Sequence, residues 1–330
     1  MLKVGLIGAG HLGKIHLKCW QQVKDVQVAG FYDIDANTRE IVSHKFGIKS
    51  YEDVEQLMND VDALDIVTPT TTHYYYAEKA IKKGKHLFME KPVTSTLEEA
   101  QKLLQLSEEA GVIVQVGHVE RFNPAFLTAK PYIQAPMFIE THRLALFNPR
   151  GMDVSVILDL MIHDLDIVLH LVKSPVKRIH AVGVAVVSDT PDIANARIEF
   201  AGGCVANLTT SRISLKNMRK TRIFQKNAYI SIDFLEKKCD VVTMMPLDKD
   251  QDDPLAMVLD LGPKGKRKIV NHMPDVKMIN AIEEELRSFT ESILHGKPVV
   301  VPLTDGFEAL ELAYRIKDIM AFTTADQADW

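Results

Sequence analysis

The chain has 330 residues, 46% of them apolar and 25% charged, with a formal net charge of −5. That length suits two domains, the composition excludes wholesale disorder, and the acidic balance argues against a nucleic-acid partner held by phosphate contacts. Cys19, Cys204 and Cys239 stand far apart in no metal-ligand spacing, so free thiols and no metal are expected. With no apolar run approaching the length of a membrane span, no membrane partner and a cytoplasmic location are expected.

The first third alternates regularly. Apolar runs over 3–7, 26–32, 63–67, 86–89 and 112–116 predict strands, and the stretches over 11–22, 36–46, 72–83 and 97–110 predict helices between them. Near-continuous apolar strands separated by helices predict a doubly wound α/β domain, its parallel sheet covered on both faces. After Gly117 the pattern changes. A long helix over 153–172 is expected, then strands over 179–187, 194–200, 204–210, 219–224, 229–234 and 239–244, with one more over 137–146. Strands in succession predict a mainly antiparallel α+β domain, and helices over 277–294 and 305–322 close the chain. The domains are expected at 1–120 and 121–330, the final helices packing back on the first. Those helices cover only one face of the sheet, so its open face predicts a homo-oligomer, a dimer or tetramer. Asp248 to Asp253 reads as an acidic loop, and the basic run Lys264 to Lys268 as a solvated hairpin end.

The first strand runs into Gly8-Ala9-Gly10-His11-Leu12-Gly13 and a helix. The first glycine permits a tight turn, the second lets backbone approach a pyrophosphate, and the third allows close helix–strand packing. Exposed N–H groups at the helix start, from His11 and Leu12 onward, supply donors and partial positive charge for an anion. Asp33 follows Gly13 by twenty residues at the end of the second strand. A carboxylate there accepts from both hydroxyls of an adenosine ribose and repels a 2′-phosphate, which favours NAD over NADP. The plainer role for Asp33 is a helix cap alongside Asp35. Tyr74, Tyr75 and Tyr76 lie near the expected nicotinamide edge, and at most two of three consecutive residues share a helix face.

Together with Thr68-Pro69 and His73 after the next strand, Glu90-Lys91-Pro92 at a strand end, and Asp159 with His163 on a helix, this fingerprint resembles the Gfo/Idh/MocA oxidoreductases over nearly the whole chain. The resemblance implies a Rossmann domain followed by an open-faced antiparallel substrate and oligomerisation domain. It places Thr68, Pro69, His73, Glu90 and Lys91 at the cofactor, implies a cis Lys91–Pro92 peptide, and makes Lys91, Asp159 and His163 the catalytic group. An ammonium at Lys91 steadies the charge developing on a substrate oxygen as hydride leaves its carbon. Asp159 and His163, four apart, share a helix face, and an imidazole takes a hydroxyl proton at neutral pH. Asp166 is a weaker candidate one turn on.

The loop from Gly117 to Ala125 is similar to that of dehydrogenases that oxidise C3 of a UDP-N-acetyl sugar. His118 is a candidate for polarising a substrate oxygen, and Arg121 and Asn123 for binding sugar or diphosphate oxygens, a role a forked guanidinium suits. A free-sugar or inositol dehydrogenase on the same machinery is the alternative, and a non-catalytic NAD-sensing protein the second.

Overall fold

A computed structural model describes residues 1–148, 154–247 and 257–324. The expected loop at 248–253 and the start of the helix expected from 153 lie outside them. The chain opens with β1 (Leu2–Ile7), α1 (His11–Trp20), β2 (Val26–Tyr32), α2 (Ala36–Phe46), β3 (Ser50–Tyr51), α3 (Val54–Asp60), β4 (Ala63–Ile66), α4 (His73–Lys82), β5 (His86–Glu90), α5 (Leu97–Ala110) and β6 (Val114–Gly117). It continues through α6 (Pro124–Ala129), β7 (Pro136–Leu146), a π-helical turn at Ile157–Met161 that leads into α7 (Ile162–Leu171), β8 (Val176–Ala185), β9 (Ile193–Phe200), β10 (Val205–Ser214), β11 (Met218–Gln225) and β12 (Ala228–Asp233). β13 (Lys238–Pro246), β14 (Met257–Asp260), β15 (Lys266–His272), α8 (Ala281–His295), α9 (Leu303–Ile319) and β16 (Ala321–Thr324) complete it.

Two compact units result. The first combines residues 1–122 with 280–311, and the second 123–279 with 312–330. In the first, a six-stranded parallel sheet runs β3-β2-β1-β4-β5-β6. Its central and later strands β1, β4, β5 and β6 are buried nearly end to end because helices cover both faces. The helices carry their own punctuation. Asp35, Asp53, Thr96 and Asn280 cap α2, α3, α5 and α8 by accepting first-turn N–H groups, and Gly47, Gly111 and Gly296 end α2, α5 and α8 in left-handed geometry. At α5 the Glu99 side chain also accepts from the Ser95 N–H, one residue before the cap, at 3.2 Å. Trp20, Phe88 and Phe289 pack edge to face on one side of the sheet.

The second unit is built on a ten-stranded sheet, ordered β14-β15-β13-β12-β11-β7-β10-β9-β8-β16 and antiparallel except at β7–β10 and β8–β16. Burial alternates along β9 and β10, so one face forms the core. Ile139, Ile198, Ala206, Ile223 and Ile230 meet Ile157, Met161 and Leu165 there. The other face carries a cross-strand row of Phe138, Phe224 and Tyr229, with centroids 5.9 and 5.1 Å apart.

Several elements differ from the sequence-based expectation. The short β3 and α3 were not foreseen. The hairpin end expected at Lys264 to Lys268 belongs to the edge hairpin β14–β15, with Lys264 in its exposed turn and Lys266, Arg267 and Lys268 in β15 paired with β14. The last helix stops at Ile319, and residues 321–324 pair in parallel with β8 instead of extending it. The described helix before β8 begins at Ile157, with a π turn first.

Candidate functional site

In the first unit the strand order reverses between β1 and β4, and a crevice opens beyond their C-terminal ends. A cavity of about 280 Å³ lies there, lined by Gly8 and Gly10, by Tyr32, Asp33 and Ile34, by Thr68, Pro69 and Thr72, and by Tyr76. The glycines divide as the motif requires. Gly8 has φ +97° and its missing Cβ would sit 2.8 Å from the Val67 carbonyl oxygen, while a Cβ on Gly13 would fall 2.0 Å from the Gly8 carbonyl oxygen. A Cβ on Gly10 would meet no protein atom within 4 Å, so it would project only into the cavity.

The donor set fits a dinucleotide. Gly10 offers no side-chain cap, the first turn of α1 holds no acid, and His11 and Leu12 are exposed, so its N–H groups are available to an anion. Asp33 does not cap α2; Asp35 does, accepting from Thr38 at 2.8 Å. Instead Asp33 Oδ2 accepts from the Ala9 N–H at 2.7 Å and Oδ1 from the Asp35 N–H at 2.9 Å. Each oxygen keeps a lone pair for a ribose hydroxyl. Arg39 Nη1 donates to the Asp33 carbonyl oxygen at 2.8 Å, beside the same position. Tyr76 stands at this end of the crevice, edge-on to Tyr32 at 6.5 Å, whereas Tyr74 bonds Glu78 and Tyr75 lies against Lys79. The tyrosine that reaches the cavity therefore lies with Asp33, not at the expected nicotinamide edge.

His73 is fully buried, with its ring nitrogens 2.9 Å from the Pro92 and Thr68 carbonyl oxygens. Burial lowers its pKa against the pull of those carbonyls. It joins the Thr68-Pro69 turn to the Lys91-Pro92 turn, so it supports the cofactor crevice by bracing two loops. The Lys91–Pro92 peptide is cis. Glu90, expected at the cofactor, turns inward: its Oε1 is 3.2 Å from His16 Nε2, and its carboxylate lies over Gly117, where a Cβ would come within 2.9 Å.

Beneath Glu90 are residues that the sequence reading missed. His16 of α1 shares a 2.9 Å hydrogen bond with Asp65 of β4, whose Oδ2 also accepts from Trp20 Nε1 at 2.7 Å, and Glu285 of α8 is fully buried nearby. The signal was present: Asp65 is a charge in the middle of an otherwise apolar strand, which requires a buried partner.

In the second unit the π turn carries Asp159, exposed, and α7 carries His163, half-buried. π-helical turns recur at functional sites, where the wider turn re-aims side chains. The neighbouring acids face inward: Asp164 takes both Nε and Nη2 of Arg143 of β7 at 2.9 Å, and Asp166 is buried. The fork anchors α7 to the sheet. Arg121, Asn123 and His118, expected at the substrate, are all buried. Arg121 pairs with Asp305 at 3.0 Å, while Asn123 caps α6 through Ala125 and donates to the Phe234 carbonyl oxygen at 3.0 Å. These contacts give Arg121 and Asn123 structural roles within their own units.

Comparison with known proteins supplies the family. Residues 2–118 match the oxidoreductase family with an NAD-binding Rossmann fold, GFO_IDH_MocA, and residues 128–231 match the GFO/IDH/MocA C-terminal domain. The chain is 40% identical over 235 residues to UDP-N-acetylglucosamine 3-dehydrogenase of Acidithiobacillus ferrooxidans, covering 71% of this chain and 74% of that one. A solved structure of that enzyme superimposes with a TM-score of 0.85 over 97% of both chains at 32% identity. Myo-inositol 2-dehydrogenase of Thermotoga maritima is 24% identical over 335 residues, covering 96% of this chain and 95% of that one.

Proposed function

The chain belongs to the Gfo/Idh/MocA oxidoreductases and is a dehydrogenase acting on CH–OH groups, and from that premise we propose that it oxidises C3 of a UDP-N-acetyl sugar with NAD in preference to NADP. The observation that carries the substrate reading is the 40% identity to an enzyme of that name, against 24% to an inositol dehydrogenase. The cofactor preference rests on Asp33, whose two oxygens are pre-oriented by backbone N–H groups and present negative charge where a 2′-phosphate would lie.

When bound, NAD supplies the acceptor for the hydride. The protein's own contribution is placement and charge. Gly8, Gly10 and the bare start of α1 receive the pyrophosphate, and Asp33 receives the adenosine ribose. Lys91, at the end of β5, holds its ammonium to the reacting oxygen and lowers the cost of the developing alkoxide. His163 takes the hydroxyl proton, with Asp159 on the preceding turn orienting it. Arg121 has no part in this reading.

We place the protein in the reducing cytoplasm, where its three buried cysteines stay unpaired. Among the described residues no helix is long and apolar enough to cross a membrane. We further propose a homo-oligomer seated on the Phe138–Phe224–Tyr229 face, with Val182 and Val184 exposed on β8. Sedimentation of Phe224→Asp as a monomer, where the parent is a dimer or tetramer, is the expected result. A parent that sediments as a monomer refutes the oligomer.

The deciding experiment incubates the protein with NAD or NADP and a panel of nucleotide sugars, free hexoses and inositols, reading reduced-cofactor absorbance and product mass. A 3-keto nucleotide sugar is expected. Turnover of inositol or glucose alone would move the assignment to a free-sugar enzyme. Binding of both ligands with no change at the reduced-nicotinamide band would indicate a sensor.

A further inference from the structure

We propose that His16, Asp65 and Glu285 form a positioning relay inside the first unit, which holds the Glu90 carboxylate and, through the Glu90–Lys91 turn, the Lys91 ammonium that the proposed reaction requires. The inference rests on the dehydrogenase reading above and adds three residues to it, none of which reaches the cofactor cavity.

The geometry is a chain of contacts from four elements. Asp65, in the middle of β4, accepts from Trp20 Nε1 at 2.7 Å and holds His16 Nδ1 at 2.9 Å. That fixes the imidazole so that Nε2 faces Glu90 Oε1 at 3.2 Å, an ion-pair contact and not an aligned hydrogen bond. Glu90 Oε2 in turn accepts the Lys91 backbone N–H at 3.2 Å, closing the turn on itself. Glu285 enters from α8. Gln115 Nε2 of β6 pins it by donating to its backbone carbonyl at 2.8 Å and to Ser288 Oγ at 3.1 Å. Its carboxyl is fully buried, and neither oxygen has a hydrogen-bond partner among the described residues. One of those oxygens lies with a His16 ring nitrogen and a Glu90 oxygen in a group no more than 4.8 Å across.

Charge decides how such a cluster exists. Three ionised carboxyls against one imidazolium would leave two unbalanced negative charges in the interior, and a buried carboxylate in that position takes up a proton instead. Glu285 is the one that does. Burial first, then the charge of Glu90, push it well above the usual carboxyl range. Burial would lower His16, but the charge and hydrogen bond of Asp65, with Glu90 behind, outweigh it and hold the imidazolium well above the ordinary value. Glu90 stays ionised, because His16 and Lys91 overcome its burial. With Glu285 neutral, the negative charges of Asp65 and Glu90 are balanced by His16 and Lys91. The Lys91 ammonium is therefore part of the buried charge balance, which ties its place to the relay. Other titratable groups coupled to the cluster are Cys19 of α1, Glu283 of α8 and His73 of α4, which feels the charge of Glu90.

This makes Glu285 a proton reservoir behind the turn. Its ionisation as pH rises adds a negative charge beside Glu90 and drives the two carboxylates apart, displacing Lys91. A displacement of about an ångström at a positioned group lowers rate by up to about a hundredfold while leaving remote binding alone.

Two measurements on the full-length protein test the relay. The first needs no sugar: infrared difference spectra of the parent and Glu285→Gln at neutral pH, with metal analysis of the same samples. A protonated-carboxyl C=O band present in the parent and absent in Glu285→Gln is expected. Its absence from the parent, or one divalent ion per chain retained through chelation, would overturn the relay, the latter in favour of a metal site. The second is the pH profile of kcat with NAD and the substrate found by the panel. The parent's fall in kcat as Glu285 ionises with rising pH should vanish in Glu285→Gln, and His16→Gln should lose about tenfold or more in kcat with NAD affinity kept within about twofold. An unchanged fall with rising pH, or parallel losses in kcat and NAD affinity with a lowered melting temperature, would make the cluster structural only. Because the infrared result is independent of turnover, failure of the sugar assignment leaves it standing and is read separately.

Discussion

Replacing Asp33 with Ser tests the cofactor crevice most directly. In the parent, Asp33 Oδ1 and Oδ2 are each held by one backbone N–H, from Asp35 and Ala9, which leaves both oxygens aimed for a ribose diol. Two hydrogen bonds to a carboxylate are worth roughly 1.5–3 kcal/mol each, and a serine hydroxyl recovers roughly 1 kcal/mol of that, so the net loss is about 2–5 kcal/mol. The NAD dissociation constant should therefore rise roughly 30- to 4000-fold. NADP should behave oppositely. Loss of the carboxylate removes a repulsion of the order of 4 kcal/mol per charge pair at contact in a partly screened site, and Arg39, already 2.8 Å from the Asp33 carbonyl oxygen, is placed to meet a 2′-phosphate. Asp33→Asn separates the two effects, because it keeps an acceptor for one backbone N–H and removes only the charge. Calorimetric or fluorescence titration of both cofactors against the three proteins gives the ratios. An NAD-to-NADP preference unchanged by Asp33→Ser would refute the ribose role and leave Asp33 as a brace for the β1–α1 turn.

Further outcomes follow from the same geometry. Lys91→Ala and His163→Ala should each lower the single-turnover rate of hydride transfer about 10²- to 10⁴-fold with NAD affinity nearly intact; parental rates in either variant remove that residue from the mechanism. The glycines of the turn should separate by readout. Gly13→Ala puts a Cβ 2.0 Å from the Gly8 carbonyl oxygen and should lower stability by about 1–3 kcal/mol or more, whereas Gly10→Ala meets no protein atom within 4 Å and should leave the melting temperature alone while weakening NAD. Equal melting temperatures for the two would contradict the packing assigned to Gly13. Stability should also fall as pH rises above neutrality. His16 is raised in the fold, so its stabilisation is complete below its ordinary pKa of 6.5 and is lost as pH climbs through the folded value; Glu285, raised above 4.5, loses stability in the same direction once the unfolded carboxyl has ionised. Each group contributes a slope of at most about 1.4 kcal/mol per pH unit. Denaturant melts of the parent and Glu285→Gln across neutral and alkaline pH measure it, and identical slopes would deny the raised carboxyl.

The amino-acid sequence by itself determined the parallel sheet, the glycine turn and Asp33, because these depend on local order: continuous apolar strands, a glycine where φ must be positive, an acid a fixed distance along. The Lys91-Pro92 turn was legible for the same reason, as a short motif. Only the tertiary structure decided which way the charged side chains face. Glu90 reads as a cofactor ligand beside Lys91, yet it turns inward because His16, seventy-four residues earlier, brings a cation beneath it. Arg121 reads as a diphosphate fork until Asp305, one hundred and eighty-four residues on, meets it in the interior. Glu285 sits among three consecutive acids on a helix whose other face is exposed, and nothing local separates it from Glu283 and Glu284. Long-range packing makes the distinction, since a carboxyl's charge depends on the solvent and partners around it, and these are set by segments far away in the chain.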